Sequence, residues 1–211
     1  MRNLLLRHRP GVTFVELLLF LGVFAMCCGV LITVLVFSQE QRVRQQTITA
    51  VEQEGVQLLQ MLARRVRNAE NILDPPAGSS GSLIAMQMGH EDLNPTILAQ
   101  GSGTVVVVEG DTLRSISPSG LQIIDLRFAN TSVDAERQSA RISFVAQRTI
   151  PLPGFPLYRQ PFALSIALFP DNDWSGDDCA CVTPQCIGGV YQWQVCILEA
   201  CQDATTTLVC E

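Results

Sequence analysis

The chain of 211 residues contains no lysine and only two histidines. Each shortage removes a class of chemistry. Without lysine there is no Gly-rich phosphate loop of the kind that ends in Lys-Ser/Thr. His8 stands within the first eleven residues and His90 stands alone, so neither a Ser/His/Asp set nor a histidine metal set can be assembled. Only a hydrolase built on carboxylates is left among enzymes, and no pair of acids is singled out. The expectation is a protein that is not an enzyme. All 14 bases are arginine, set against 20 acids, for a formal charge of −6. A dense basic face for nucleic acid is therefore not expected. With 47% apolar and 16% charged residues, wholesale disorder is excluded as well. No internal repeat at a fixed period and no low-complexity tract is present.

What is abundant is concentrated. Between Val12 and Phe37, 21 of 26 residues are apolar, and Glu16 is the only charge. At about 1.5 Å per residue such a helix spans roughly 39 Å, more than the ~30 Å of membrane hydrocarbon. The preceding residues carry Arg2, Arg7 and Arg9 and no acid, whereas Glu40, Arg42 and Arg44 form a mixed pattern after the run. The positive-inside rule leaves the N-terminus in the cytoplasm and sends residues 38–211 across. A cleaved secretory signal has an apolar region of about 7–15 residues and a small-x-small cleavage site. This run is too long, and Ala25-Met26-Cys27-Cys28 lacks that site. Cys27 and Cys28 read as small apolar residues within the run. Glu16 is the informative position: an ionised carboxylate in hydrocarbon costs about 2.5–3.5 kcal/mol. No base lies within a turn or two on the same helix.

Pro10-Gly11 followed by Val12-Thr13-Phe14-Val15-Glu16-Leu17-Leu18-Leu19 resembles the class III signal of type IV pilins and type II secretion pseudopilins. The likeness covers residues 7–37: a basic leader, glycine at the cut, a hydroxyl second, glutamate fifth, then a long apolar helix. It implies cleavage between Gly11 and Val12 by prepilin peptidase and N-methylation of Val12. It also implies that the new amine of one subunit pairs with Glu16 of its neighbour. Removing the leader takes away three arginines and no acid, leaving 11 − 20 = −9. Two features depart from the pattern: Val12 stands where the family most often has phenylalanine, and the apolar helix contains no proline.

Beyond the run, Ile48, Val51, Gly55, Leu58, Leu59, Leu62, Val66, Ala69 and Leu73 recur at steps of three and four, one stripe of an amphipathic helix. Asp74-Pro75-Pro76 ends it, giving one helix of about 60 residues, ~90 Å long. The cluster Arg64, Arg65 and Arg67 reads as a solvated helix face rather than a phosphate site. The period then changes. Leu83–Met88, Thr104–Glu109, Thr112–Ile116, Leu121–Phe128, Arg141–Gln147 and Phe162–Phe169 read as strands separated by Gly, Pro, Asn and Asp, with a hairpin turn at Glu109-Gly110-Asp111-Thr112. The stripe packs on this sheet, an α+β fold. In order and size the parts resemble the larger minor pilins, the W-type of pili and the J-type pseudopilin of secretion systems.

The last 33 residues hold Cys179, Cys181, Cys186, Cys196, Cys201 and Cys210. Outside the cytoplasm such a set reads as two or three disulfides tying down a tail with little core of its own, in any of fifteen pairings. The spacing lacks the paired Cys-x-x-Cys of a strong zinc site. Asp171, Asp173, Ser175 and Asp177, with Gly176 at the sixth place, match the opening of a calcium loop, but Val182 stands where that loop needs glutamate. A solvated turn is the plainer reading, and no other cofactor is expected.

The domain expectations are a cleaved leader at 1–11, a membrane and assembly helix at 12–37, and its amphipathic continuation at 38–74. A β-rich head follows at 75–170, then an acidic and Cys-rich tail at 171–211. The resemblance implies a structural minor pilin or pseudopilin. It would sit in the inner (cytoplasmic) membrane, with its C-terminal domain in the periplasm or outside, until assembled into a filament. The implied partners are other pilins, prepilin peptidase, the assembly platform and the membrane; no small-molecule substrate or nucleic acid is expected. The competing reading is a single-pass receptor or adhesin that never polymerises.

Overall fold

The computed structural model describes residues 13–134, 137–152, 154, 157–169, 184–197, 200–204 and 208–209. The chain forms two compact units, residues 1–45 and 46–211, and one helix, α1 (Phe14–Arg67), belongs to both. In the first unit the stretch of α1 up to residue 37 is apolar all round and almost wholly exposed: Phe14, Leu19, Phe24, Met26 and Leu35 each leave more than half of their surface open. A window of 18 residues reaches a mean hydropathy of 2.7 with none of it buried. This stretch is long and apolar enough to cross a membrane once.

In the second unit α1 becomes one-sided. Thr47, Val51, Gly55, Leu58, Leu62, Ala63 and Val66 are buried, at spacings of three, four and one that keep them on one face. The helix stops at Arg67, seven residues short of the expected boundary at 74. Asn68 closes it by donating to the Arg64 carbonyl, and Phe169 N–H caps the Arg67 carbonyl at 2.8 Å. Residues 69–74 are instead strand β1 (Ala69–Asp74), in which Ala69 and Ile72 are buried. Apolar residues three apart satisfied the helical stripe equally well, and only pairing with a neighbouring strand decided the matter.

The head is antiparallel throughout. One sheet runs in the order β1-β3-β4-β5-β6, with β3 at Leu83–Met88, β4 at Thr96–Gly101, β5 at Thr104–Glu109 and β6 at Thr112–Ser115. The second runs β2-β7-β8-β9, with β2 at Ser80–Gly81, β7 at Gln122–Asn130, β8 at Ser139–Thr149 and β9 at Leu157–Ala167. The hairpin at Gly110-Asp111 is present: Glu109 faces Thr112, and Gly110 takes the positive φ of 58° that the tight turn demands. Strand β4 was not expected, because Pro95 before it and Gly101 after it leave only a short apolar run.

Both sheets bury one face against α1. The core joins Val51, Leu58, Leu62 and Val66 of α1 to Ile84, Met86 and Leu98 of the first sheet and to Ile123, Phe128, Ile142 and Phe144 of the second. The first sheet also buries its other face. Leu83, Ala85, Ile97, Ala99, Val106 and Val108 pack there against Trp193, Val195 and Leu208 from the C-terminal strands. Burial on both faces is why Leu83–Met86 and Val105–Val108 read as unbroken apolar runs, whereas β7 and β8 alternate. The tail strands are β10 (Gln185–Ile187), β11 (Val190–Gln192), β12 (Gln194–Ile197), β13 (Ala200–Asp203) and β14 (Leu208–Val209), paired as β10-β11-β14 and β12-β13.

One contact fixes how closely α1 approaches the second sheet. A Cβ on Gly55 would meet the ring of Phe162, which stacks on Phe144 with centroids 5.3 Å apart. Alanine at this position gains about 1 kcal/mol of helix propensity but overpacks the ring, at about 1–3 kcal/mol. Gly55→Ala should therefore lower the urea midpoint. In a Phe162→Ala background, where the ring is gone, the same change should raise it. A Gly55→Ala effect of one sign in both backgrounds would show that Phe162 does not set the approach.

Candidate functional site

Glu16 lies in the first turn of α1 and is exposed. Thr13 caps this turn: its Oγ1 accepts from the Glu16 N–H at 3.3 Å and its carbonyl from the Leu17 N–H at 3.1 Å. Thr13-Phe14-Val15-Glu16 thus has the spacing of a capping box, with glutamate at the third helical position. Sequence reasoning missed this local role, although the Ser/Thr-x-x-Glu pattern was there to find. A carboxylate in the first turn gains about 0.3–1 kcal/mol from the helix dipole. Against about 2.5–3.5 kcal/mol for burial in hydrocarbon, that compensation is partial. Gly11 and Val12 lie outside the described residues.

The remaining predicted positions are in the tail. Cys186 on β10 and Cys201 on β13 are disulfide-bonded, and the β12–β13 register sets Cys196 opposite Cys201. Cys179, Cys181 and Cys210 lie outside the described residues, as do Asp171, Asp173, Ser175 and Asp177 of the candidate calcium loop. Among the described residues no group of three His, Cys, Asp or Glu side chains is placed to hold a metal ion. Cys27 and Cys28 are free thiols. The tail does not depend on cysteines alone. Trp193, 3% exposed, is buried under the first sheet and donates its indole N–H to the Gly110 carbonyl at 3.3 Å. Its apolar residues share the core of the sheet rather than forming one of their own.

The arginine cluster at the end of α1 is structural. Arg65 donates from Nε and Nη2 to Glu109 Oε1, each at 3.2 Å, while Arg64 and Arg67 are exposed in the last turn, where a positive charge suits the helix dipole. A second bridge ties α1 to β8. Arg148 Nη1 reaches Glu54 Oε1 at 3.2 Å, and its Nη2 donates to the Ser119 carbonyl. Glu54 Oε2 is buried without a hydrogen-bond partner among the described residues. Both pairs are half-buried and work as clamps.

No protein-family model, curated protein or solved structure matches this chain. The geometry therefore stands by itself: an apolar helix packed in its second half on a β-sheet head, an arrangement compatible with a pilin-like architecture.

Two carboxylates at opposite ends of β1, Glu70 and Asp74, have pKa values raised by burial. For Asp74 the folded state holds the proton more tightly than the unfolded chain, whose value is 3.8. Its stabilising contribution is complete below that pH and is lost as pH rises through the folded value. Asp74→Asn, neutral throughout, should raise the denaturation midpoint at pH 7, with the gain shrinking towards pH 3. A gain independent of pH would assign the effect to something other than Asp74 ionisation.

Proposed function

We propose that this chain is a structural minor pilin or pseudopilin. In this reading prepilin peptidase cuts it after Gly11 and Val12 is N-methylated. Its apolar helix then packs with like helices in a type IV pilus or a type II secretion-type filament, drawn from the inner membrane by the assembly platform. The head stands on the far side of that membrane. The observation that carries the reading is Glu16: an exposed carboxylate in the first turn of a helix that is otherwise free of charge as far as residue 37, compensated among the described residues only by the helix end. A neighbour's N-terminal amine supplies the missing partner, and a charge-assisted pair in low dielectric is strong.

Glu16→Leu separates this reading from a lone receptor or adhesin. A monomeric anchor gains from the carboxylate only the helix-end term of about 0.3–1 kcal/mol, less than its burial in hydrocarbon costs, and inserts as well or better without it. In a filament the neighbour's amine is left buried and unpaired, at a cost of roughly 3–5 kcal/mol. Glu16→Leu should still be cut after Gly11, giving a chain shorter by eleven residues that begins with methylated Val12. Its share in sheared filaments should fall by about two orders of magnitude or more. Equal incorporation of wild type and variant would sink the pairing, and an intact leader beside active peptidase would sink the family reading.

The tail belongs to the same proposal. Cys196 and Cys201 form one bridge within it. Residues facing one another on antiparallel strands have Cβ atoms about 4.5–5.5 Å apart, close to disulfide reach. Mass mapping without reduction should find Cys196 joined to Cys201, Cys186 joined to another tail cysteine, and Cys27 and Cys28 free. Reactive thiols at Cys196 and Cys201 with stoichiometric zinc would replace the bridge by a metal.

A further inference from the structure

The second sheet turns one face to α1 and the other outward. Ala140, Ile142, Phe144 and Ala146 of β8 are buried on the inner face, so the alternate residues mark the outer one. Cross-strand register places Arg127, Ser143 and Ala163 in one row of that outer face, Arg141 and Ser165 in the next, and Gln122, Gln147 and Arg159 in a third. Three exposed arginines therefore share a face in a unit that is strongly acidic overall. Residues 46–211 hold 9 arginines and 18 acids. Arg159 donates to Gln147 at 3.1 Å, and neither Arg127 nor Arg141 makes an ion pair among the described residues.

Beside Arg127 lies an open concavity of about 620 Å³. Val145, Pro161 and Ala163 give it an apolar lining, with Ser143, Asp125 and Arg127 at its polar side. Asp125 sits at a bulge in β7 with φ of 53°, a break in the ladder that re-aims the side chains around it. The surface calls for a ligand that is anionic and carries one flat apolar group. The chain itself contains such a segment: Asp171-Asn-Asp-Trp174-Ser-Gly-Asp-Asp178, four carboxylates around a tryptophan.

A second copy reaches this face more directly than the chain's own tail does. Leu168 is buried and Phe169 N–H bonds the Arg67 carbonyl, so the chain leaves β9 on the α1 side, opposite the arginines. Trp174 follows Phe169 by five residues, a Cα span of at most about 17 Å, so its indole comes to that concavity from the same chain only with the segment fully extended round the edge of β9. Ala163 lies six residues back along β9, about 20 Å away, and its concavity opens on the other face of the sheet.

We propose that this outer face docks residues 171–178 of a second copy of the chain, with Trp174 in the concavity and aspartates against Arg127 and Arg141. An indole beside a guanidinium adds a cation–π contact. The contact is heterologous, face to tail, and so repeats from copy to copy. It needs neither the leader cut nor the Glu16 pair.

The test uses two differently tagged full-length copies in one membrane, both carrying Glu16→Leu so that filament incorporation plays no part. One copy carries a photo-crosslinking residue in place of Trp174. Crosslinks should join the two tags and map by mass spectrometry to peptides of β7–β9. Arg127→Glu with Arg141→Glu on the acceptor should lower the yield by roughly tenfold, and Asp171→Arg with Asp173→Arg on the donor should restore it. Matched thermal midpoints would show that the acceptor variants fold. Crosslinks confined to one copy, crosslinks to a different protein, no crosslink, or a yield indifferent to charge reversal would each overturn the proposal.

Discussion

The head depends on the burial of one stripe of α1. Val51, Leu58, Leu62 and Val66 have no exposed surface, and each such side chain contributes about 1.5–3 kcal/mol when fully removed from water. Because both sheets pack on this stripe, it sets where each can lie. Gly55 opens one gap in it, through which the Phe162 ring reaches the helix. The ion pairs Arg65–Glu109 and Arg148–Glu54 then fasten α1 to one strand of each sheet at the margins of the apolar contact. They orient the helix rather than hold it, since half-exposed pairs are worth little beside the apolar area they border.

The first sheet poses a second problem. The back face of that sheet is apolar and needs a cover. Trp193, Val195 and Leu208 cover the back of β3, β4 and β5. The described tail strands are thus placed by apolar burial against the first sheet. Function as proposed divides between the two units. The first unit carries Glu16, and the second contributes surfaces.

Charge distribution gives those surfaces a direction. The acids outnumber the bases overall, yet arginines gather on the outer face of the second sheet, where the β-pleat brings residues from β7, β8 and β9 together. Such segregation favours contacts in which one surface meets a different one, and it disfavours like meeting like.

The sequence by itself determined the apolar helix, its single internal charge, the amphipathic stripe and six of the strands, because each is written in local periodicity and a strand or helix needs little more to declare itself. It also held the capping box at Thr13 and Glu16, which went unread beside the larger pattern. Only the tertiary structure decided that α1 ends at Arg67 and that residues 69–74 join a sheet, since a short apolar run serves either period until a partner strand claims it. The place of Trp193, the back face that needs it, and the meeting of Arg127, Arg141 and Arg159 were likewise out of reach. Each depends on residues distant in the chain, and register between strands, which no local pattern encodes, is what makes them neighbours.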